Sequence, residues 1–495
     1  MSILSAVDDQ FDVCVVGTGA GGGLIAGQLT RRGLRVAIIE RGHFWTTKDF
    51  SRFEVDMYRK LWAPWETTSN RELGYEDEIH FAQGRCVGGS TTIFTAVAHR
   101  PPASNFEDWH KETGVVDADG RPFSYATLET HYELVERHNS VRSYNELDPG
   151  TLRVQMGFEK IGLNLVPSNA YITSACEKSG CLFGCPTEAK RGTMLSYVIP
   201  AVLLGAELFY DARAIRVLLQ KTSQGVVCEG VEFVASDGEM RQIRAKITVL
   251  ALGSLNTPQL LMNSNLQAYA GDSPSLGQIG RNMAVNTAKM VFGKFDEILD
   301  NYLVKPLPAH CLDLVPEGIL FEASSIMEGP LGFALPLVDE ADRPLWGHRH
   351  KEIMKNYRYY AGIFLNTRDH NNGWIELDEH GSGKFFKPII PEDRKILERA
   401  RSVAREALEA AGANDIVETI YLSAHMQGTC RMGEDRSKSV VNSNGEMHDI
   451  KRLFIGDASV IPKVIDANPS LTIMVLASRL VDYICRDREA YLAAK

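Results

Sequence analysis

Apolar runs alternate with small-residue and polar segments along the first fifty residues. The run at 11–16 predicts a buried parallel strand that stops at Gly17. The small residues after it predict a helix through about Arg32, and residues 35–39 predict a second strand. This order of elements is that of a βαβ unit.

Hydrophobic patterns typical of strands and of helices continue after the first fifty residues. Residues 247–253 predict a buried strand that ends at a glycine, and the stretch from about 291 to 386 favours strands because it is rich in Thr, Tyr and Phe. Helices are predicted at 123–142, 391–411 and 470–486, and strands at 206–219 and 230–234. Apolar runs and turns return after residue 453, so we expect a discontinuous α/β nucleotide domain with a second domain inserted.

The first glycine turn has the spacing of a dinucleotide-binding fingerprint. Gly17 would make the tight turn, Gly19 would let the backbone approach a pyrophosphate, and Gly22 would let the helix pack on the strand. The helix N-terminus favours phosphate, and Glu40 after the second strand can accept the hydroxyls of an adenosine ribose. A βαβ unit that binds nothing is the alternative, and at this point NAD fits as well as FAD.

Composition narrows the class of protein. A chain of 495 residues is too long for one core, so roughly two or three domains are expected. The net charge of −10 argues against nucleic acid as a partner. No stretch approaches the roughly 18 apolar residues of a membrane span, and the N-terminal residues lack a positive region. With nine cysteines, an odd number, we expect a cytoplasmic protein with reduced thiols.

Several further motifs follow in a fixed order. They are Glu40-Arg41-Gly42, the glycine turn 84–92, Leu252-Gly253-Ser254 with Thr257-Pro258, His425 to Gly433, Gly456-Asp457-Ala458-Ser459, and Asn468-Pro469-Ser-Leu-Thr472. With these motifs the chain resembles the glucose–methanol–choline (GMC) family of FAD-dependent oxidoreductases along almost its whole length. The last motif resembles most the pyranose-oxidase and sugar or polyol dehydrogenase branch.

The resemblance implies a fold and a division into domains. It implies an α/β chain with a discontinuous, Rossmann-like FAD-binding domain at 1–100, 186–290 and 420–495. An inserted α+β substrate domain, built on an antiparallel sheet and accompanied by lid segments, would occupy 101–185 and 291–419.

The resemblance also implies roles for particular residues. His425 would be the base that removes the hydroxyl proton, Asn468 would hold the substrate oxygen, and hydride would pass to flavin N5. The residues implied in cofactor binding are Gly17, Gly19, Gly22, Glu40, Arg41, Gly88, Gly89, Ser90, Asp457, Ala458 and Pro469. Some relatives link FAD to a histidine at the position of Ile93, so FAD is expected to be non-covalent here. The next residue is Phe94.

Cys176, Cys181 and Cys185 lie close together in sequence and allow two interpretations. Thiols at such spacing suit zinc or an iron–sulfur cluster, and some relatives carry a three-iron cluster on a similar triad. Three cysteines are one short of a four-cysteine site, and buried structural thiols are the favoured interpretation. No metal site is therefore assigned, and an iron–sulfur cluster stays open.

The substrate and the electron acceptor are less defined by sequence. We expect oxidation of an alcohol group to a carbonyl on a sugar, glycoside or polyol, with oxygen, a quinone or an electron-transfer protein as acceptor. Alternatives are a dehydrogenase of an aromatic or terpenoid alcohol that passes electrons to a partner, and a flavin-retaining lyase of the same fold. The aromatic residues Tyr360, Phe364 and Trp374 suit either a stack on sugar rings or ordinary sheet core.

Overall fold

Two large β-sheets organise the chain. The computed structural model describes residues 11–176, 180–223, 225–324, 337–339 and 342–493. The helices are α1 (Ala20–Arg31), α2 (Glu54–Leu61), α3 (Ser104–Thr113), α4 (Tyr125–His138), α5 (Pro149–Lys160), α6 (Ile199–Leu203), α7 (Asn256–Met262), α8 (Leu266–Ala270), α9 (Gly347–Lys355), α10 (Pro391–Ala410), α11 (Ser470–Arg486) and α12 (Arg488–Ala493).

The strands carry the numbers β1 to β22 in chain order. They are β1 (Phe11–Val16), β2 (Val36–Ile39), β3 (Glu66–Thr67), β4 (Ile79–Phe81), β5 (Val141–Ser143), β6 (Val166–Pro167), β7 (Asn169–Tyr171), β8 (Glu207–Phe209), β9 (Arg213–Thr222), β10 (Gly225–Val234), β11 (Met240–Leu250), β12 (Ala288–Lys294), β13 (Ala309–Cys311), β14 (Ile319–Ser324), β15 (Leu337–Val338), β16 (Tyr360–Thr367), β17 (Trp374–Leu377), β18 (Gly383–Phe386), β19 (Asp415–Thr419), β20 (Tyr421–Ser423), β21 (Ile450–Lys451) and β22 (Leu453–Ile455).

The first sheet has a parallel centre. β1 pairs in parallel with β2 on one side and β11 on the other, and β8 and β22 extend these neighbours. The strands of a parallel sheet are buried on both faces, which explains the nearly continuous apolar runs that predicted them. The first half of β11 pairs antiparallel with β10, which pairs antiparallel with β9. The predicted α/β fold with a Rossmann-like domain is confirmed.

The second sheet is mainly antiparallel. β12, β16, β14 and β13 follow one another as antiparallel neighbours, and β19 and β20 pair with β12. α5 and α10 contact each other and β16. Gly157 of α5 allows this close approach, since a side chain there would overlap the carbonyl group of Ala407. The expected antiparallel sheet is therefore present, although α9 interrupts the stretch that was predicted as mainly strands.

Several predicted elements have different bounds in the structure, and left-handed residues account for two of them. The helix predicted at 123–142 is α4, which begins after its N-cap Ser124 and ends at His138, and Ser140 has a left-handed backbone with φ of 55°. The strand predicted at 206–219 is divided into β8 and β9, because Asp211 between them has φ of 51°. Left-handed residues of this kind interrupt regular elements without leaving a signal in the hydrophobic pattern.

The segment at 66–81 belongs to the second sheet. β4 pairs in parallel with β20, and β3 pairs with β4. The domain bounds proposed from the sequence, in which 1–100 belong to the FAD-binding domain, stay a prediction. Within the described ranges, no helix combines the length and the apolar composition that crossing a membrane requires.

A substitution at Gly21 tests the packing of α1 on the first sheet. A Cβ atom at Gly21 would overlap the carbonyl oxygen of Gly456, which is backbone and has no room to move. We expect Gly21→Ala to lower the free energy of unfolding by about 3 kcal/mol, at the upper end of overpacking effects. Chemical denaturation measures it. Gly277→Ala is the control, since a Cβ atom there meets nothing within 4 Å, and equal stability of the two variants would contradict the packing.

Candidate active site

Four turns meet at the carboxyl edge of the parallel strands. They follow β1, β2, β11 and β22, where ligands of open α/β sheets bind. A cavity of about 700 Å³ opens there. The predicted site residues that line it are Gly17, Gly19, Glu40, Arg41, Gly89, Ser90, His425, Asp457, Ala458, Asn468 and Pro469. Gly22 and Gly88 do not line it and stand behind its wall.

The first glycine turn is shaped as the fingerprint requires. Gly17 has φ of 100°, and a Cβ atom there would overlap the carbonyl oxygen of Ala251. A Cβ atom at Gly22 would overlap the carbonyl oxygen of Gly17 inside the helix–strand contact. Gly19 is different, because a Cβ atom there would meet nothing within 4 Å and Gly19 lines the cavity. The open side of the turn therefore faces the cavity at the N-terminus of α1.

Glu40 is more fully engaged than the sequence suggested. Its carboxylate accepts hydrogen bonds from Thr18 N at 3.0 Å, Thr18 Oγ1 at 2.6 Å and Gly42 N at 2.8 Å. A carboxylate offers about four lone-pair positions, so about one remains for a ribose hydroxyl group. Burial raises the pKa of Glu40, and these three donors act against that rise.

Three threonine hydroxyl groups join the first glycine turn to the second. Thr18 Oγ1 accepts from Gly88 N at 2.9 Å, and Thr193 Oγ1 donates to the carbonyl oxygen of Thr18 at 2.8 Å. Thr91 Oγ1 lies 2.8 Å from Thr193 Oγ1. The sequence analysis missed these residues. Their signal was a hydroxyl residue inside or beside each glycine turn, since such side chains satisfy buried backbone groups.

The second glycine turn lies directly on the first. Gly88 has φ of 93°, and a Cβ atom at Gly89 would press on the backbone of Gly19. Ser90 Oγ accepts from Gly84 N at 3.0 Å and is exposed to the cavity. Both turns therefore border the same part of the cavity.

Asp457 holds two turns together. Its Oδ2 accepts from Gly253 N at 2.9 Å and from Thr257 Oγ1 at 2.6 Å, and its Oδ1 accepts from Ser459 N at 2.8 Å. Burial raises the pKa of this carboxyl group, while the donors lower it. Asp457 thus fixes the turns after β11 and β22, and its own chain already supplies donors to both carboxylate oxygens.

Arg41 belongs to a chain of polar side chains along one wall. Arg41 Nη1 donates to Asn256 Oδ1 at 3.1 Å, and Asn256 Nδ2 donates to Gln83 Oε1 at 3.2 Å. Gln83 Nε2 donates in turn to Glu66 Oε2 at 3.0 Å. Arg41, Gln83 and Asn256 line the cavity. The neutral amides of this wall had no motif that would have marked them in the sequence.

His425 faces the cavity just after β20. Its backbone N donates to Ser423 Oγ at 2.9 Å, and its carbonyl oxygen accepts from Gln427 Nε2 at 3.1 Å. Burial lowers the pKa of the His425 ring to about 4. The imidazole is therefore neutral at physiological pH and has one ring nitrogen available as a proton acceptor.

Asn468 lines the cavity immediately before α11. It is buried, and its Nδ2 donates to Glu322 Oε2 at 3.3 Å. Its Oδ1 is buried on the side of His99, whose ring hydrogen-bonds the Asn468 side chain. Glu322 was not predicted from the sequence. The pattern that could have marked it is a single carboxylate inside an otherwise apolar strand, since carboxylates are seldom fully buried without a partner.

Apolar side chains of one cluster form a wall of the cavity that His425 also lines. Met290 and Phe364 are cross-strand partners on β12 and β16, and Leu422 immediately precedes the turn that carries His425. All three line the cavity, as do Val97 and Leu307. The other aromatic candidates lie elsewhere, since Tyr360 donates to Asp415 at 2.8 Å and Trp374 stacks on Phe386 at 5.0 Å.

Ile93 and Phe94 line the cavity at the positions where the sequence departs from covalent relatives. The ring of Phe94 stacks on Tyr171 with centroids 5.4 Å apart, and Tyr171 Oη lies 3.3 Å from Ser470 Oγ. An isoleucine has no nucleophilic atom with which to attach a cofactor.

The cysteine segment shows no metal site in the part of the chain that the structure describes. Cys181 is buried, and Cys185 Sγ accepts from Lys190 N at 3.3 Å. The described residues contain no group of three or more His, Cys, Asp or Glu side chains arranged to hold a metal ion. Residues 177–179, between the first two cysteines, lie outside the described ranges.

The comparison with protein families identifies the chain. The family models described as GMC oxidoreductase match residues 15–288 and 387–477. The chain belongs to the GMC oxidoreductase family. It is therefore an FAD-dependent oxidoreductase that acts on CH–OH groups, as the motifs predicted. The cavity fits FAD, since Gly19 leaves open space beside the N-terminus of α1 and Glu40 retains an acceptor position.

Curated relatives of this GMC oxidoreductase cover nearly all of it. A long-chain-alcohol oxidase of Arabidopsis thaliana is 25% identical over an alignment of 548 positions, gaps included. The alignment covers 98% of this chain and 67% of the relative. An uncharacterized GMC-type oxidoreductase of Sinorhizobium fredii is 25% identical over 510 residues, which span 97% of this chain and 96% of the relative.

Solved structures share the fold of this GMC oxidoreductase. Pyridoxine 4-oxidase from Mesorbium loti has a TM-score of 0.69 at 17% identity and covers 96% of this chain and 99% of its own. A formate oxidase of Aspergillus oryzae has a TM-score of 0.74 at 14% identity and covers 99% and 100%. At such identities the likeness concerns the fold alone.

Gly19→Ala tests the cofactor cradle separately from the fold. The added methyl group would project into the cavity without touching the protein, so we expect unchanged unfolding of the FAD-free protein. It would occupy space that a pyrophosphate needs, so we expect FAD affinity to fall by about tenfold or more. The flavin-to-protein absorbance ratio after gel filtration and a titration with FAD measure this. Wild-type FAD affinity in the variant would contradict the assignment.

Proposed function

We propose that the protein oxidises alcohols with an apolar chain, with His425 as the base and Asn468 beside the reacting oxygen. The observation that carries the proposal is the shared cavity. Two glycine turns and Glu40 border it together with a neutral histidine, a buried asparagine and an apolar wall. Bound FAD supplies the two-electron oxidant for the reaction.

The geometry supports a proton transfer to His425. Removing the hydroxyl proton of an alcohol needs an unprotonated base within the cavity, and a ring nitrogen of His425 meets that need. Asn468 lines the cavity, and its amide nitrogen has a second N–H group besides the one donated to Glu322, so it is able to hydrogen-bond the substrate oxygen. The residues proposed to hold FAD are those of the two glycine turns, Glu40 and the turn at 457–458.

His425→Ala should slow the oxidation strongly. We expect the rate of anaerobic flavin bleaching by an alcohol to fall by about 10² to 10⁴, which is the usual contribution of a general base. Because the neutral ring is the active form, the wild-type rate should also decline as the pH is lowered through about 4. Stopped-flow absorbance measures both effects.

His348→Ala is the control for that experiment, because the side chain of His348 is 85% exposed.

Admitting air after the flavin has been bleached tests which electron acceptor the enzyme uses. The name of the Arabidopsis relatives, long-chain-alcohol oxidases, supports oxygen as the acceptor, so we expect rapid return of the flavin absorbance with formation of hydrogen peroxide. If the flavin of His425→Ala is bleached at the wild-type rate, His425 is not the base. Cleavage of a C–C bond in the substrate without flavin bleaching would favour the alternative function of a flavin-retaining lyase.

The apolar wall argues against the sugar substrate that the sequence favoured. A sugar needs hydrogen-bonding side chains for several hydroxyl groups, whereas Met290, Phe364 and Leu422 offer a continuous apolar surface in the cavity that His425 also lines. The name of the Arabidopsis relatives, long-chain-alcohol oxidases, supports the same proposal.

A series of straight-chain primary alcohols tests the substrate class. Each added methylene group that is buried should contribute about 0.8 kcal/mol, or about fourfold in kcat/KM, until the wall is covered. Phe364→Ala should move the optimum to longer chains, because it enlarges the cavity. Trp374→Phe should leave the optimum unchanged, since Trp374 packs on Phe386. A higher kcat/KM for a sugar or polyol than for every apolar alcohol would contradict the proposal.

Two further features of the proposal concern the cofactors. FAD is proposed to be non-covalent, since Ile93 occupies the attachment position of covalent relatives. The cysteine segment is proposed to be structural, supported by the hydrogen bond from Lys190 N to Cys185 Sγ.

A further inference from the structure

A buried polar cluster stands behind Asn468, away from the cavity lining. We define the Glu322 cluster as Glu322, Asn366, Asn468, His99 and His310. Glu322 is fully buried, and the other members are at most 8% exposed. The register of the second sheet explains the arrangement, because Glu322 is the cross-strand partner of Phe364 on one side and of His310 on the other. The same row of side chains therefore changes from apolar cavity wall to buried carboxyl group.

One oxygen of Glu322 holds two amides. Glu322 Oε2 accepts from Asn366 Nδ2 at 2.9 Å and from Asn468 Nδ2 at 3.3 Å. No ion pair involves Glu322 among the described residues, so no positive charge compensates a carboxylate there. An unpaired charge at a fully buried position is very costly.

Two acceptor oxygens of the cluster lack a donor. Glu322 Oε1 and Asn366 Oδ1 make no hydrogen bond to described residues. The side chain of His99 hydrogen-bonds that of Asn468, and its ring lies 4.2 Å from that of His310. The single N–H group of a neutral His99 is thus engaged by Asn468, and both remaining oxygens are acceptors when Glu322 is ionised. A proton on Glu322 Oε1 would supply the missing donor.

Resting on the proposed function, we propose that Glu322 is a positioning residue whose uncharged carboxyl group fixes the amide of Asn468 against the cavity. An amide has a donor end and an acceptor end, so holding Nδ2 toward Glu322 determines which atoms meet the substrate. An ionised Glu322 would also place negative charge near the oxygen that loses its proton, and this charge would oppose the reaction.

The ionisation behaviour of the cluster agrees with this role. Burial raises the pKa of Glu322 to about 8. Burial and the neighbouring His310 lower the pKa of His99 to about 3, and burial lowers that of His310 to about 4. The groups that face Glu322 are thus two histidines with lowered pKa values and two amides, so no neighbouring positive charge favours its ionised form.

Two substitutions of Glu322 separate positioning from packing. Glu322→Gln keeps one acceptor oxygen and one donor, as a protonated carboxyl group has, whereas Glu322→Met keeps the length without polarity. We expect Gln to retain the rate of anaerobic flavin bleaching within about threefold at pH 7, and Met to lower it by about 10². The wild-type rate should fall as the pH rises through about 8, and the Gln variant should lose that dependence.

Two measurements on the FAD-loaded protein do not need a substrate. The infrared difference spectrum between wild type and Glu322→Gln should contain the C=O band of a protonated carboxyl group at pH 7, and this band should disappear above pH 8. The raised pKa also means that Glu322 stabilises the fold below its unfolded pKa, and that this contribution is lost as the pH rises through about 8. Wild type should therefore lose thermal stability relative to the Gln variant between pH 5 and 9.

The outcomes distinguish this proposal from the proposed function. Absence of the infrared band at pH 7, or a Gln variant as slow as the Met variant, would overturn the positioning role of Glu322. Neither result would affect the proposal that His425 is the base and that the substrate is an apolar alcohol. If no alcohol bleaches the flavin, the proposed function fails and the positioning role fails with it. The infrared band would in that case still report a protonated Glu322.

Discussion

Backbone contact between glycine turns at the carboxyl edge of the first sheet is the constraint on which the rest of the structure depends. A Cβ atom at Gly21 would overlap Gly456, one at Gly17 would overlap Ala251, and one at Gly89 would press on the backbone of Gly19. These contacts bring the turns after β1, β11 and β22 to one place although they are more than 200 residues apart in sequence. Hydroxyl groups such as that of Thr18 then satisfy the backbone N–H groups that such close packing would leave buried.

The second sheet forms one wall of the cavity, and the side chains along that face change from apolar to polar. Met290 and Phe364 give an apolar surface, and the next cross-strand partner is Glu322. The buried Lys387 is paired with two carboxyl groups, those of Asp369 and Asp393. Around His425 and Glu322 burial instead favours the uncharged forms, since it lowers the pKa of His425 and raises that of Glu322. In the proposed function a neutral His425 would accept the proton, and neutral amides would align the oxygen without competing for that proton.

Much of this architecture followed from local sequence pattern. The run before Gly17, the glycine spacing and Glu40 indicated the nucleotide edge, because they combine a strand, a turn and an acidic group. The role of His425 as a base was implied by the resemblance of its motif to the GMC family and stays a prediction. Other features depend on pairing between distant strands. The contact of Glu322 with Asn468 arises from the register of β14, and the division of 206–219 arises from the left-handed Asp211. Neither the register nor a left-handed turn is encoded in a hydrophobic pattern. The sugar branch, the cytoplasmic location and the domain bounds stay predictions.

A crystal structure of the FAD-loaded protein with a bound tertiary alcohol would test the central claim most directly. Such an alcohol has no C–H bond on its carbinol carbon, so it binds without being oxidised. The account predicts the adenosine ribose at Glu40, the hydroxyl group between His425 and Asn468, and the apolar chain along Met290 and Phe364. A hydroxyl group bound away from His425, or an adenosine away from Glu40, would contradict it.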